Sequence, residues 1–73
     1  MFFEPSEIFK VLSVKTRLDI IELLKSKGEM GAKDIAAELD ISVAAVSQHL
    51  KILKHAGLVD FERKGYFIPY QIN

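Results

Sequence analysis

The chain contains no cysteine, which excludes a disulfide framework and any thiolate metal site. It has no surplus of charge: ten Lys and Arg balance ten Asp and Glu, whereas a nucleic-acid binder usually carries a basic excess. Composition alone therefore argues mildly against nucleic acid as a partner. No apolar run approaches the ~20 residues needed to span a bilayer. The Met1-Phe2-Phe3 start is too short for a signal peptide and lacks a basic segment. Repeats, low-complexity segments, linkers and a glycine-rich phosphate loop are all missing. Disorder is excluded too, because apolar residues make up 49% of the 73 positions. The expectation is one small, soluble, cytoplasmic domain over residues 1–73 with limited capacity to bury core.

One further absence is local. From Ile41 to Val59 there is no Asp or Glu, although the chain holds ten acids. This stretch, SVAAVSQHLKILKHAGLV from Ser42, reads as one amphipathic helix. Ser42 is a good N-cap, because its hydroxyl can accept from the first free N–H groups. Gly57 is a good terminator, because it can adopt the left-handed conformation that ends a helix. Val46, Leu50 and Leu53 fall at i, i+4 and i+7 and form the apolar stripe. Ala44, Ser47, Gln48, Lys51 and His55 lie opposite. Such a face suits a DNA major groove: small residues let the backbone approach, Gln can bond a base edge in bidentate fashion, and Lys can reach phosphate or guanine. Most helices with lysines outside are simply solvated, so the context decides.

That context builds along the chain. Met1–Phe3 is an apolar tip, either packed on the core or open to a partner. Glu4-Pro5-Ser6-Glu7 starts a first helix, with Ile8, Phe9, Val11 and Leu12 as its apolar residues. A second helix is expected from Ser13, with Leu18, Ile20, Ile21 and Leu24 inside and Gly28 as its stop. Glu29-Met30-Gly31 is a short extended link, with room for one ladder of sheet. A third helix covers Ala32 to Leu39, with Gly31 as N-cap and Ile35, Ala36 and Leu39 inward. Asp40 takes the turn, since Asp tolerates left-handed backbone better than most residues. Two helices joined so closely form a helix-turn-helix, whose second helix reads DNA.

After Gly57 the period becomes two. Val59 and Phe61 alternate with Asp60 and Glu62. Arg63-Lys64-Gly65 is a turn, with the glycine supplying positive φ. Tyr66 to Ile72 is expected as the return strand, with Ile68, Tyr70 and Ile72 on one face. Pro69 cannot donate to a ladder, so this strand should be an edge. A hairpin with cations at its tip, directly after a helix-turn-helix, is a wing placed to meet phosphate or the minor groove. The fold class is therefore mainly α with a β-hairpin wing: a winged helix-turn-helix.

Three runs carry a family resemblance: Leu12-Ser13…Thr16-Arg17-Leu18…Ile21…Leu23-Leu24, Asp34-Ile35-Ala36…Leu39, and Ser42…Val46-Ser47-Gln48-His49-Leu50-Lys51…Leu53…Ala56-Gly57-Leu58-Val59. Together with Gly65…Tyr70-Gln71-Ile72 they make the chain, from about Ile8 to Ile72, similar to the arsenic-repressor (ArsR/SmtB) family of prokaryotic winged-helix regulators. The resemblance implies a sequence-specific repressor, usually a homodimer on an inverted repeat, whose Ser47 and Gln48 region reads bases. The chain departs from that family at two points. The cysteines of its metal-sensing members fall here on Gly31 and Lys33, neither of which can ligate a soft metal. The final helix of many members lies beyond Asn73, so a dimer is expected to use the N-terminal segment and first helix, or the edge strand.

The expected site follows. Ala44, Ser47 and Gln48 face bases. Ser42, Thr16, Arg17, His49, Lys51 and Lys54 contact the DNA backbone. Arg63, Lys64 and Gly65 form the wing contact. No metal or cofactor is expected. His49 and His55 are six apart and point in different directions, and Ser47 and His49 diverge, so neither a metal pair nor a nucleophile–base pair forms. No constellation for an enzyme is present. A second function class stays open at this point: a winged helix that docks protein instead of DNA. Zero net charge and the apolar tip favour it weakly. The acid-free helix face opposes it, because protein-docking helices show apolar or mixed-sign anchors there.

Overall fold

The computed structural model describes residues 4–73 as four helices followed by a two-stranded antiparallel hairpin. Met1–Phe3, read above as an apolar tip, lies outside the described residues.

Helix α1 runs Pro5–Leu12, with Pro5 in its first turn, where the missing N–H costs nothing. No residue of α1 is buried, and Phe9 is 70% exposed. Helix α2 runs Lys15–Lys27, two residues later than the Ser13 start expected. The reason is local. Both the hydroxyl and the backbone N–H of Ser13 donate to the Lys10 carbonyl, at 2.7 and 3.3 Å, so Ser13 closes α1 instead of opening α2. Val14 takes the N-cap position of α2 without a side-chain hydrogen bond.

On α2 the buried residues are Ile20 and Leu24, with Ile21 half-buried. Leu18, expected inside, is 44% exposed. It lies about 200° around the helix from Ile20, on the far side of the stripe that the core selected. The remaining expectations for the α-helical part hold. Gly28 ends α2. Helix α3 spans Ala32–Leu39 with Gly31 at its N-cap. Asp40 adopts the left-handed region at φ 55, ψ 47 and lets α4, Val43–His55, begin three residues on.

Helix α4 is the central element. Val46, Leu50 and Leu53 are fully buried. They join Ile20, Leu24, Met30, Ile35, Ala36 and Val59 in one core, and no polar or charged side chain is buried among the described residues. The Ser42 hydroxyl accepts from the Ala45 N–H at 3.0 Å, as an N-cap should. At the other end the Gly57 N–H reaches the Lys54 carbonyl at 2.9 Å, and the Leu58 N–H reaches the Leu53 carbonyl at 3.0 Å. These paired bonds are a Schellman motif, and Gly57 supplies its left-handed residue at φ 79.

The hairpin is shorter than the alternation suggested. Strand β1 is Val59–Phe61, and β2 is Tyr70–Ile72 instead of 66–72. The register pairs Val59 with Ile72, Asp60 with Gln71 and Phe61 with Tyr70. Pro69 is fully buried just before β2, and its carbonyl accepts from the Glu62 N–H at 3.1 Å. Beyond it the loop narrows again, where Lys64 and Phe67 exchange backbone hydrogen bonds at 2.7 and 3.1 Å around Gly65-Tyr66. Gly65, at φ 65, takes the first central position, where two-residue hairpins of type II′ need glycine. Tyr70 is not on a free edge. It also exchanges backbone bonds with Met30, at 2.8 and 3.0 Å, so the expected extended link does add one rung beside β2.

Candidate nucleic-acid interface

The α3–turn–α4 unit exposes one face of α4. Ala44, Ser47, Gln48 and Lys51 are all exposed on it, while the stripe behind them is buried. The three residues expected to read bases therefore stand together on one surface, along with Val43 at the helix start. No acid lies on α4, and its last turn carries Lys54 and His55. The Ser42 hydroxyl, expected at the DNA backbone, is already held by the cap.

The expected phosphate contacts divide by their present partners. Lys51 and Arg63 form no ion pair among the described residues and are exposed. The Lys54 ammonium lies 3.8 Å from the Asp60 carboxylate and 5.3 Å from the centre of the Phe61 ring. The Lys64 ammonium lies 2.9 Å from the Glu29 carboxylate. The hydrogen bond to Glu29, reinforced by its negative charge, holds Lys64 above its ordinary pKa of 10.5. Arg17 is half-buried: its Nε donates to His49 Nδ1 at 3.3 Å and one terminal nitrogen to the Val11 carbonyl at 3.4 Å. With Nδ1 accepting, the ring N–H of His49 sits on Nε2. Arg17 thus ties α1, α2 and α4 together, and Thr16 beside it is half-buried.

The wing packs back on the domain beside this face. Phe67 covers Gly31, where an added Cβ would meet its ring at 3.0 Å. An open cleft of about 480 Å³ separates the start of α4 from the wing, lined on one side by Val43 and Ser47 and on the other by Tyr66, Phe67 and Ile68. Sequence reasoning did not anticipate the Glu29–Lys64 pair or the Phe67–Gly31 contact, since nothing local marks contacts across more than thirty residues. The exposure of Val43 was not legible, because Val43, Val46, Leu50 and Leu53 fall at i, i+3, i+7 and i+10 and period alone places all four on one apolar stripe. Among the described residues, no three His, Cys, Asp or Glu side chains gather into a group that could hold a metal ion. No helix among them is long and apolar enough to cross a membrane.

Residues 15–60 match the arsR family of bacterial regulatory proteins. The chain belongs to that family. It is 46% identical over 68 residues to the transcriptional repressor SdpR of Bacillus subtilis, an alignment covering 93% of this chain and 74% of that protein. To the arsenical resistance operon repressor of Escherichia coli it is 35% identical over 72 residues, covering 99% of this chain but only 62% of that one. Among solved structures it is similar to the homodimeric winged helix-turn-helix DNA-binding domain Mb0332 of Mycobacterium bovis, at TM-score 0.84 and 33% identity, with 92% of this chain and 61% of that chain covered. This arsR-family chain is a DNA-binding transcriptional regulator with a winged helix-turn-helix fold.

Proposed function

We propose that the chain is a sequence-specific repressor that inserts α4 into a DNA major groove and rests its wing on the flanking strand. The observation that carries this reading is the exposed, acid-free face of α4, presented by a helix-turn-helix. Ala44, Ser47 and Gln48 read base edges. Lys51 and Arg63 make the leading phosphate contacts, because neither is held in an ion pair among the described residues. Lys54 and Lys64 contribute to the extent that they leave Asp60 and Glu29. Arg17 and His49 act as a joined pair that sets the angle of α4 and presents His49 Nε2 toward the backbone, with Thr16 beside them. Gly65 shapes the wing tip. Residues 1–73 act as one DNA-binding unit, in the cytoplasm, without catalysis.

The repressor names of the relatives and the homodimeric state of the Mb0332 domain support a repressor acting as a dimer. We infer that α1 supplies the interface. It buries none of its own residues and leaves Phe9 70% exposed, a poor arrangement for an isolated small domain. The return strand is a weaker choice, because β1 flanks Tyr70 on one side and on the other both its backbone groups are already bonded to Met30.

Fluorescence anisotropy against a random duplex, titrated from low to physiological salt, tests the reading. Affinity should fall linearly on a log–log plot as counterions are released. Absence of binding even at low salt would refute it. Sedimentation of the same sample should give twice the monomer mass.

A further inference from the structure

We propose that Val43 reads a thymine through its C5-methyl group, a base contact additional to those of Ala44, Ser47 and Gln48. The proposal rests on the DNA-binding reading above. Val43 is the first residue of α4 and is 42% exposed. The other large apolar residues of that helix, Val46, Leu50, Ile52 and Leu53, are buried or half-buried.

The structural reasons for placing an apolar residue near a helix start are already met by other residues. Ser42 supplies the cap hydrogen bond. Ile41, just before the cap, packs on the core in which Val46 is buried, which is the arrangement of a hydrophobic staple. A β-branched side chain in the first turn brings no gain in helix propensity. Val43 is therefore not needed for the cap or the staple, and 42% of it stays open at the cleft that it lines with Tyr66, Phe67 and Ile68.

Its position gives it a different task. Val43 and Ser47 stand one helical turn apart and both line the cleft between α4 and the wing. Val43 thus occupies the wing side of the reading face, with Ala44 and Gln48 beside it. A valine offers no hydrogen bond, so it cannot recognise the donors and acceptors of guanine, adenine or cytosine. The one apolar group on the major-groove edge of the bases is the thymine methyl. Contact with it removes two apolar surfaces from water. Contact with any other base would strip water from a polar edge and give nothing back.

The test begins with selection of a preferred duplex from a randomised library by the full chain. Each thymine in the selected site is then replaced singly by deoxyuridine, which lacks only the methyl. Affinities are measured by anisotropy for the native chain, Val43→Ala and Val43→Thr. At one thymine per half-site, loss of the methyl should weaken the native chain about fourfold, the equivalent of about 0.8 kcal/mol for one buried methyl-sized group. The same replacement should leave Val43→Ala unaffected. Val43→Thr, which keeps one methyl, should follow the native chain. Uncoupled behaviour, with deoxyuridine costing nothing anywhere or costing all three proteins equally, would overturn the thymine contact while leaving DNA binding intact. Failure of the native chain to select or bind any duplex would overturn both. Position 43 is exposed, so the variants should keep native circular dichroism.

Discussion

Replacing Glu29 with Gln should make DNA binding more sensitive to salt. Four cations lie on α4 and the wing: Lys51, Lys54, Arg63 and Lys64. Two of them are paired with acids, Lys54 with Asp60 at 3.8 Å and Lys64 with Glu29 at 2.9 Å. A lysine already neutralised by a carboxylate brings no net charge to a phosphate and releases no counterion. Each phosphate that is neutralised contributes a slope of about −0.9 in log affinity against log salt. Four available cations would give about −3.6 per protomer, and two give about −1.8. Glu29→Gln keeps the side-chain shape but removes the negative charge, so Lys64 becomes available and the slope should steepen to about −2.7. Between about 50 and 200 mM salt, affinity should then fall about 40-fold per protomer, against about 12-fold for the native chain. Lys64→Gln should change the native slope little, and should return the Glu29→Gln slope to its native value. Anisotropy titrations of the four proteins on one duplex give all these slopes. The reasoning fails if Glu29→Gln leaves the slope unchanged while Lys64→Gln flattens the native slope by a full unit. That result would mean that Lys64 abandons Glu29 on binding.

Four further outcomes are expected. Gln48→Ala should weaken binding by about 1–3 kcal/mol at one base-pair position and leave binding to random duplex almost unchanged, as read by a panel of single-base variants of the selected site. Ser42→Ala removes the cap bond to the Ala45 N–H and should cost about 1 kcal/mol in urea unfolding. Gly57→Ala meets no atom within 4 Å, so its cost is backbone strain at φ 79 alone; about 1–2 kcal/mol is expected, visible as a lower melting temperature. Leu50→Ala should cost about 2–5 kcal/mol, because Leu50 is fully buried, whereas Leu18→Ala should stay within about 1 kcal/mol. Equal effects at positions 18 and 50 would contradict the packing of α2 described above.

The helical part was legible because its signals are local. Ser42, Asp40, Gly31 and Gly57 mark boundaries through their own backbone and hydroxyl chemistry, and each sits where that chemistry required. The buried stripe of α4 followed from period alone. The misplaced start of α2 shows the limit of such signals. A serine between two helices can close one or open the next, and the choice depends on a hydrogen bond to Lys10 that spacing does not reveal. The return strand failed in another way. Alternation from Tyr66 to Ile72 described side-chain polarity correctly enough, but ladder pairing depends on partners, and between Glu62 and Pro69 the wing pairs only around its Lys64–Phe67 turn. At the candidate site, the exposed polar face of α4 was visible in the sequence. The pairing state of its cations was not, because Glu29 and Lys64 are 35 positions apart.

That pairing state also resolves the objection raised by composition. Zero net charge argues against a nucleic-acid partner only if the charges are spread evenly over the surface. Here five acids face lysines: Asp19 with Lys15, Glu22 with Lys25, Glu38 with Lys27, Asp60 with Lys54 and Glu29 with Lys64. Three of the five pairs hold both partners on α2 or bridge it to α3. Helix α4 itself contains no acid, so it needs no overall surplus to offer phosphate a favourable field. Asp60 and Glu29 sit against Lys54 and Lys64 of the proposed DNA face. On that proposal they weaken its electrostatic grip without touching the residues assigned to base reading. Such a distribution shifts the balance from charge toward base contacts, so this chain should discriminate sequences well relative to its affinity for random DNA. Measured on the same protein, Glu29→Gln should therefore raise affinity for random duplex proportionally more than Gln48→Ala lowers it.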